Sequence, residues 1–336
     1  MTQPVTRSGW PSDFVGPLPP TTLPHPPGAS GVDLLPDPGE RALNRLSARA
    51  VGSTDPAPDA SVVGERLDAF LAAATPTFRT SEGEVTVPIG FFMTSSSRVS
   101  GRDEAALGSV LSRAGLAASY GRVTNGRASP DVITKSVQAL IDAGYLPPKT
   151  DTGSTGLVDR VRQLMFTWGI GLDCAGYVAP ATLAARAVRR EESGFVRPED
   201  ENLSNLGGKG YRRVAPGAPL QTGDVVVLAP DDVNAIGHRA IVRDATSATA
   251  SEIQTIRDTW RLPESAKGSD VWDKIVVDSS WGNGGVSPDR GGVQRHTWWH
   301  DKVTGLWAWS SDVLGHQVTP GPHGHPKFDV FRPRSR

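Results

Sequence analysis

The chain contains one cysteine, Cys174, in the segment Gly171-Leu172-Asp173-Cys174-Ala175-Gly176-Tyr177-Val178, just ahead of the helix-forming run Thr182 to Arg190. A cysteine at a helix start meets backbone N–H groups and the positive end of the helix dipole, which favour thiolate over thiol and so make a nucleophile. Asp173 is placed to cap that helix. The same amides could stabilise the oxyanion formed when a thiolate attacks an amide carbon. One cysteine can form neither an internal disulfide nor a multi-cysteine zinc site, which leaves a buried hydrophobe or a reactive thiol as the two readings of Cys174. His316, His323 and His325 sit among Pro and Gly without a matching carboxylate pattern and read as a solvated tail, so neither a metal nor another cofactor is expected.

The elements that would position these groups follow from periodicity. Val63, Leu67, Phe70, Leu71 and Ala74 share one helical face, as do Leu107, Val110, Leu111, Ala114 and Ala118. A third helix has Ser129 as N-cap, Pro130 at its first position, a stripe of Ile133, Val137, Leu140 and Ile141, and Gly144 at its end. Glu84 to Met93 reads as a strand or hairpin between the first two, kept at an edge by Pro88. Leu157, Val158, Val161, Leu164, Met165 and Trp168 form a further stripe. Strands are predicted at Asp224 to Leu228, His238 to Arg243, Lys274 to Ser279 and Phe328 to Phe331, with a helix-like insertion at Ala250 to Trp260. The fold class is therefore α+β. Residues 1–60, rich in proline, read as a disordered arm, 61–150 as a small helical region, and 151–336 as the domain that carries the chemistry.

Three motifs in order resemble those of the NlpC-type cysteine peptidases, a branch of the papain-like fold. The Asp173 to Val178 segment resembles that family's Asp-Cys-Ser-Gly-aromatic-Val signature. Leu220-Gln221-Thr222-Gly223-Asp224-Val225-Val226 resembles its Leu-x-Pro-Gly-Asp-Leu-Val strand opening, and Gly237-His238-Arg239-Ala240-Ile241-Val242 its His-Val-Gly-Ile-Tyr strand. The resemblance covers roughly Leu157 to Trp281. It implies a catalytic Cys174 at a helix N-terminus packed on an antiparallel sheet, with His238 as base and acyl transfer through a thioester. It also implies a third polar group on the next strand, which falls on Asp278, with Asp244 and Asn283 as alternatives. The sequence departs from the pattern at Ala175, where the family has Ser, and at Pro180, which would split the helix into two pieces. Trp168 could take the place of an upstream aromatic, and the insertion at Ala250 to Trp260 could border the cleft as a lid.

The implied substrate is a peptide or peptidoglycan fragment, cut at a D-glutamyl to diamino-acid amide. Asp173, Trp168 and Trp281 are the expected substrate contacts. The alternative is a non-catalytic or acyl-transferring papain-like module that binds a glycan or peptide through Trp281, Trp298 and Trp299. With 35 Lys plus Arg against 36 Asp plus Glu, no whole-protein field favours nucleic acid, and no apolar run is long enough for membrane insertion. The first thirty residues lack signal-peptide character, which predicts a cytoplasmic product. A toxin or effector carried by a dedicated export machine, with an immunity protein as partner, would fit such a product.

Overall fold

The structure, a computed structural model, describes residues 59–90, 103–149, 156–186, 211–215, 217–229, 238–281, 291–311, 315–319 and 327–333. The proline-rich arm, apart from Asp59 and Ala60, lies outside them, as do Asn283, His323 and His325.

The stripes at Ala60–Ala73, Pro130–Asp142 and Leu157–Trp168 fold as helices, whereas the second predicted stripe stops at Arg113 and leaves Ala114 and Ala118 exposed beyond the helix. Helix α1, Ala60–Ala73, starts at Asp59, whose carboxylate accepts from the Ser61 amide, and buries Val63, Leu67 and Phe70. Strands β1, Thr77–Thr80, and β2, Gly83–Thr86, make a hairpin slightly ahead of the predicted one. Helices α2, Glu104–Arg113, and α3, Tyr120–Val123, are joined through a 3-10 turn at Ala117–Ser119. Helix α4, Pro130–Asp142, starts as expected, with Ser129 Oγ accepting from Val132 N. Helix α5, Leu157–Trp168, leads to α6, Cys174–Arg186, which runs as one element through Pro180 rather than breaking into two.

An eight-stranded antiparallel sheet follows. Its strands are β3, Tyr211–Arg213; β4, Val225–Ala229; β5, His238–Ser247; β6, Trp272–Trp281; β7, Gly292–Asp301; β8, Trp307–Ser311; β9, Gly315–Thr319; and β10, Lys327–Pro333. The spatial order is β3-β10-β4-β5-β6-β7-β8-β9. β4 begins at the Gly-Asp motif. Gly223 takes φ +89°, and buried Asp224 accepts from Arg332 Nε and Nη2 at 2.8 Å each and from Gln221 N at 2.9 Å, fixing β4 against β10.

The two faces of this sheet have different partners. One face, carrying Val225, Val227 and Ile241, joins Val63, Tyr177 and Val178 in a single cluster, so α1 and α6 cover it. The other carries Ala240, Val242, Val277, Trp281, Trp298 and Trp309. Because successive strand residues point to opposite faces, each side chain of β5 and β6 is assigned to one layer or the other.

This corrects the tryptophan-rich contact surface expected from the sequence. Of the three expected contacts, Trp281 and Trp298 are 2% and 0% exposed and pack with Trp307 and Trp309, Trp281 stacking on Trp309 at 5.4 Å between ring centres, whereas Trp299 is half-buried against the cluster of Trp272 and Leu306. Trp281→Ala should cost about 3–5 kcal/mol in urea unfolding, as loss of a buried aromatic does, against under about 0.5 kcal/mol for a surface contact residue.

The insertion between β5 and β6 is also not where a lid would be. It forms α7, Ala250–Thr259, opened by a reciprocal cap between Thr249 and Glu252, and the short α8, Glu264–Lys267. Ile253, Ile256 and Trp260 pack with Trp272 and Leu306. Trp272 opens β6, whereas Ser280, near the other end, bonds Leu172 beside the cysteine. Eight residue steps along the strand separate those points by roughly 26 Å.

Candidate functional site

The turn that presents Cys174 is held from three directions. Leu172 N donates to Gly90 O at 2.9 Å, Ser280 Oγ donates to Leu172 O at 2.7 Å, and Asp173 N donates to Gly126 O at 3.3 Å. Asp173 is the N-cap: its carbonyl accepts from Tyr177 N at 3.0 Å and its Oδ1 accepts from Gly176 N. Its other carboxylate oxygen pairs with Arg127 Nε at 3.1 Å. Asp173 is thus buried and fully engaged in building the turn, a structural position rather than the substrate contact predicted for it.

Gly176 is required where it stands, because a Cβ there would run into the carbonyl oxygen of Gly126. Gly176→Ala should force the helix and that loop apart at a cost of about 1–3 kcal/mol, measurable by urea titration.

Cys174 is buried at the first position of α6, against β5. Burial pushes its thiol up to about 11, and the charge of Asp173 adds to the rise; the Arg239 guanidinium, a hydrogen bond from the Arg239 backbone and the Arg127 charge oppose it. The side chain on the sheet that faces the thiol layer is therefore Arg239, itself buried, which shares the face of Ile241.

His238, one residue away, points to the other face. Its ring stacks on Trp281 with centres 3.6 Å apart, and its Nε2 lies 2.8 Å from Ser279 Oγ. Ser279 Oγ also donates to Arg239 O. A hydroxyl has one proton to give, so His238 donates from Nε2 and is the Nε2–H tautomer. Burial and then the neighbouring His296 lower its pKa to about 3, which keeps the ring neutral.

Asp278 lies on the helix face, opposite Ile241 in the β5–β6 register. It is fully buried and takes Arg295 Nε at 2.6 Å and Nη2 at 2.8 Å; Arg295 also reaches Asp68 at 2.7 Å, and Arg243 grips Asp68 at 2.9 and 2.6 Å. This chain of charges ties α1 to the sheet. Burial raises the Asp278 pKa against the pull of Arg295, whereas Arg243 and Arg295 hold Asp68 at about 2.

The predicted triad is therefore not assembled. Cys174 and Asp278 lie on the helix side, His238 lies on the tryptophan side, and the Asp278 carboxylate is occupied by Arg295. Asp244 is exposed, its Oδ1 accepting from Ala245 N at 2.9 Å. Trp168 is core, edge-on to Tyr145 at 4.7 Å, and Trp281 is core on the far face. Two residues near the thiol escaped the sequence reading, Arg239 and Arg127. An arginine two residues before Ile241 on a strand is the signal that could have exposed the first.

Among the described residues no group of three or more His, Cys, Asp or Glu could hold a metal ion, and no helix is long and apolar enough to cross a membrane. No family model, curated protein or solved structure matches the chain. What stands is an α+β fold with its single cysteine at the N-terminus of a helix packed on an antiparallel sheet, an arrangement compatible with a catalytic cysteine.

Proposed function

We propose that this protein is a papain-like cysteine hydrolase of amide bonds with Cys174 as nucleophile, acting on peptidoglycan-type peptides. The observation that carries the reading is the position of the single cysteine at the first residue of α6, at the positive end of the helix, where the charges of Arg239 and Arg127 both favour the thiolate. The thiolate attacks the amide carbon, first-turn amides stabilise the oxyanion, and expulsion of the amine leaves a thioester that water hydrolyses. Arginine holds its proton at any working pH, so Arg239 stabilises the thiolate but does not shuttle a proton; solvent takes the thiol proton and returns one to the amine. The D-glutamyl to diamino-acid link remains the proposed bond, by resemblance. A peptidoglycan peptide as partner, together with export machinery and an immunity protein, belongs to the same proposal. The test is mass spectrometry of peptidoglycan fragments incubated with the protein: a new pair of products split at one amide supports it, and unchanged fragments oppose it.

A second reading, a non-catalytic module on the same scaffold, is favoured by two observations. They are the thiol pushed up to about 11 and the orientation of His238 toward Trp281. It predicts no turnover at any pH, and its binding surface lies elsewhere than the buried tryptophans.

A further inference from the structure

We infer that Arg127, in the loop after α3, is a positioning residue for Cys174 that acts through Asp173, so that the helical region supplies part of the thiol site. Three contacts carry this. Arg127 Nε pairs with Asp173 Oδ2 at 3.1 Å; the preceding carbonyl, Gly126 O, accepts from Asp173 N at 3.3 Å; and that same oxygen lies against Gly176, where a side chain would collide with it. The loop is in turn fixed to its own helix, because Arg127 N and Ala128 N both donate to Arg122 O, at 2.9 and 3.1 Å. One loop therefore sets both the pose of the N-cap and its charge.

The charge matters because Asp173 adjoins the thiol in sequence. An unneutralised carboxylate there opposes formation of a second negative charge on sulfur, and the Arg127 guanidinium cancels much of that repulsion. The charged groups acting on Cys174 are Asp173, Arg239 and Arg127, and the directions agree: Asp173 raises the thiol pKa and both arginines lower it. Arg239 acts from the sheet beside the sulfur, whereas Arg127 is salt-bridged to the carboxylate. Arg127 also acts on the thiol directly, so its removal should matter in both backgrounds, and more while the Asp173 carboxylate is there for it to hold.

The catalytic meaning of this device rests on Cys174 being the nucleophile, but its test needs no substrate. Alkylation of the full-length protein by iodoacetamide, followed by intact mass between pH 7 and 9, reads the thiolate fraction of the one cysteine. Arg127→Met should slow alkylation at fixed pH roughly three- to tenfold, a shift of about half to one pH unit, and Arg127→Lys should stay within about twofold of wild type. Asp173→Asn, which keeps an oxygen for the cap, should speed alkylation, and adding Arg127→Met to it should slow alkylation by a clearly smaller factor than in the wild-type background, since only the direct charge effect of Arg127 is left to lose. A parallel slowing with the bulkier N-ethylmaleimide identifies a charge effect rather than altered access. Should Arg127→Met poorly fold, the lysine and asparagine variants still decide the matter. Unchanged alkylation in folded Arg127→Met, or an equal loss with and without the Asp173 charge, would overturn the inference. Absence of turnover with the alkylation pattern intact would instead sink the hydrolase reading alone.

Discussion

Replacing Cys174 with alanine is expected to abolish amide hydrolysis, a loss of roughly a thousandfold or more, while leaving the fold intact. The side chain is buried, but it is small, and alanine removes only the sulfur; the cap by Asp173, the Ser280 to Leu172 bond and the Arg127 pair all survive. Far-UV circular dichroism and the urea midpoint should stay close to wild type. The chain has no other cysteine to substitute for the lost thiol. A variant that kept a tenth of wild-type turnover would remove Cys174 from the mechanism.

The second large effect is on pH dependence. With the thiol pKa raised to about 11, the reactive thiolate is a minor species throughout the neutral range, and its fraction rises about tenfold for each pH unit below that value. Turnover and alkylation should therefore both climb with a slope near one from pH 7 to 9, about a hundredfold in all. His238, neutral and on the other face, should contribute no inflection between pH 5 and 8. His238→Ala is expected to leave that profile in place, and so is Asp278→Asn, whose charge is engaged by Arg295. A flat profile above pH 7, or an inflection near 6 to 7 that vanishes in His238→Ala, would return the imidazole to the thiol and show that the two share a face.

The linkage to stability has a definite sign. The folded thiol pKa lies above its ordinary value, so Cys174 is most compatible with the fold while protonated. Its contribution is full at neutral pH and is lost as pH rises past about 9 toward 11. For His238 the folded pKa is lowered to about 3, so the neutral ring's contribution is present above about pH 6.5 and is lost as pH falls from there toward 3.

The elements were legible wherever local chemistry determines them. Ser129-Pro130 announces α4 because a hydroxyl cap and a residue with no amide to lose suit a helix start. The stripe from Leu157 to Trp168 and the Gly223-Asp224 turn into β4 are equally local. Strand β7 falls outside the predicted set because Trp298 and Trp299 read as binding residues, and β8 shows the pattern that was there to be used. Trp307 and Trp309, two apart, have the spacing of one strand face, and both are buried.

The site was less legible for a physical reason. β5 is covered on both faces, so Ala240, Ile241 and Val242 form an unbroken apolar run, and such a run carries no alternation to tell which side chain meets the helix. Whether His238 or Arg239 faces Cys174 is decided by long-range packing against α6 and by the pairing of Ile241 with Asp278, and neither is encoded near the histidine. The Arg127 to Asp173 contact likewise joins residues far apart in sequence through a loop with no motif of its own.

The most direct test of the account is to incubate purified peptidoglycan fragments at pH 9 with the wild-type protein and with Cys174→Ala, and to follow both peptide and protein by mass spectrometry. The account predicts that wild type splits one amide and passes through a protein species heavier by the acyl fragment, while the alanine variant shows neither. Equal cleavage by both proteins, or intact fragments with both, would contradict it.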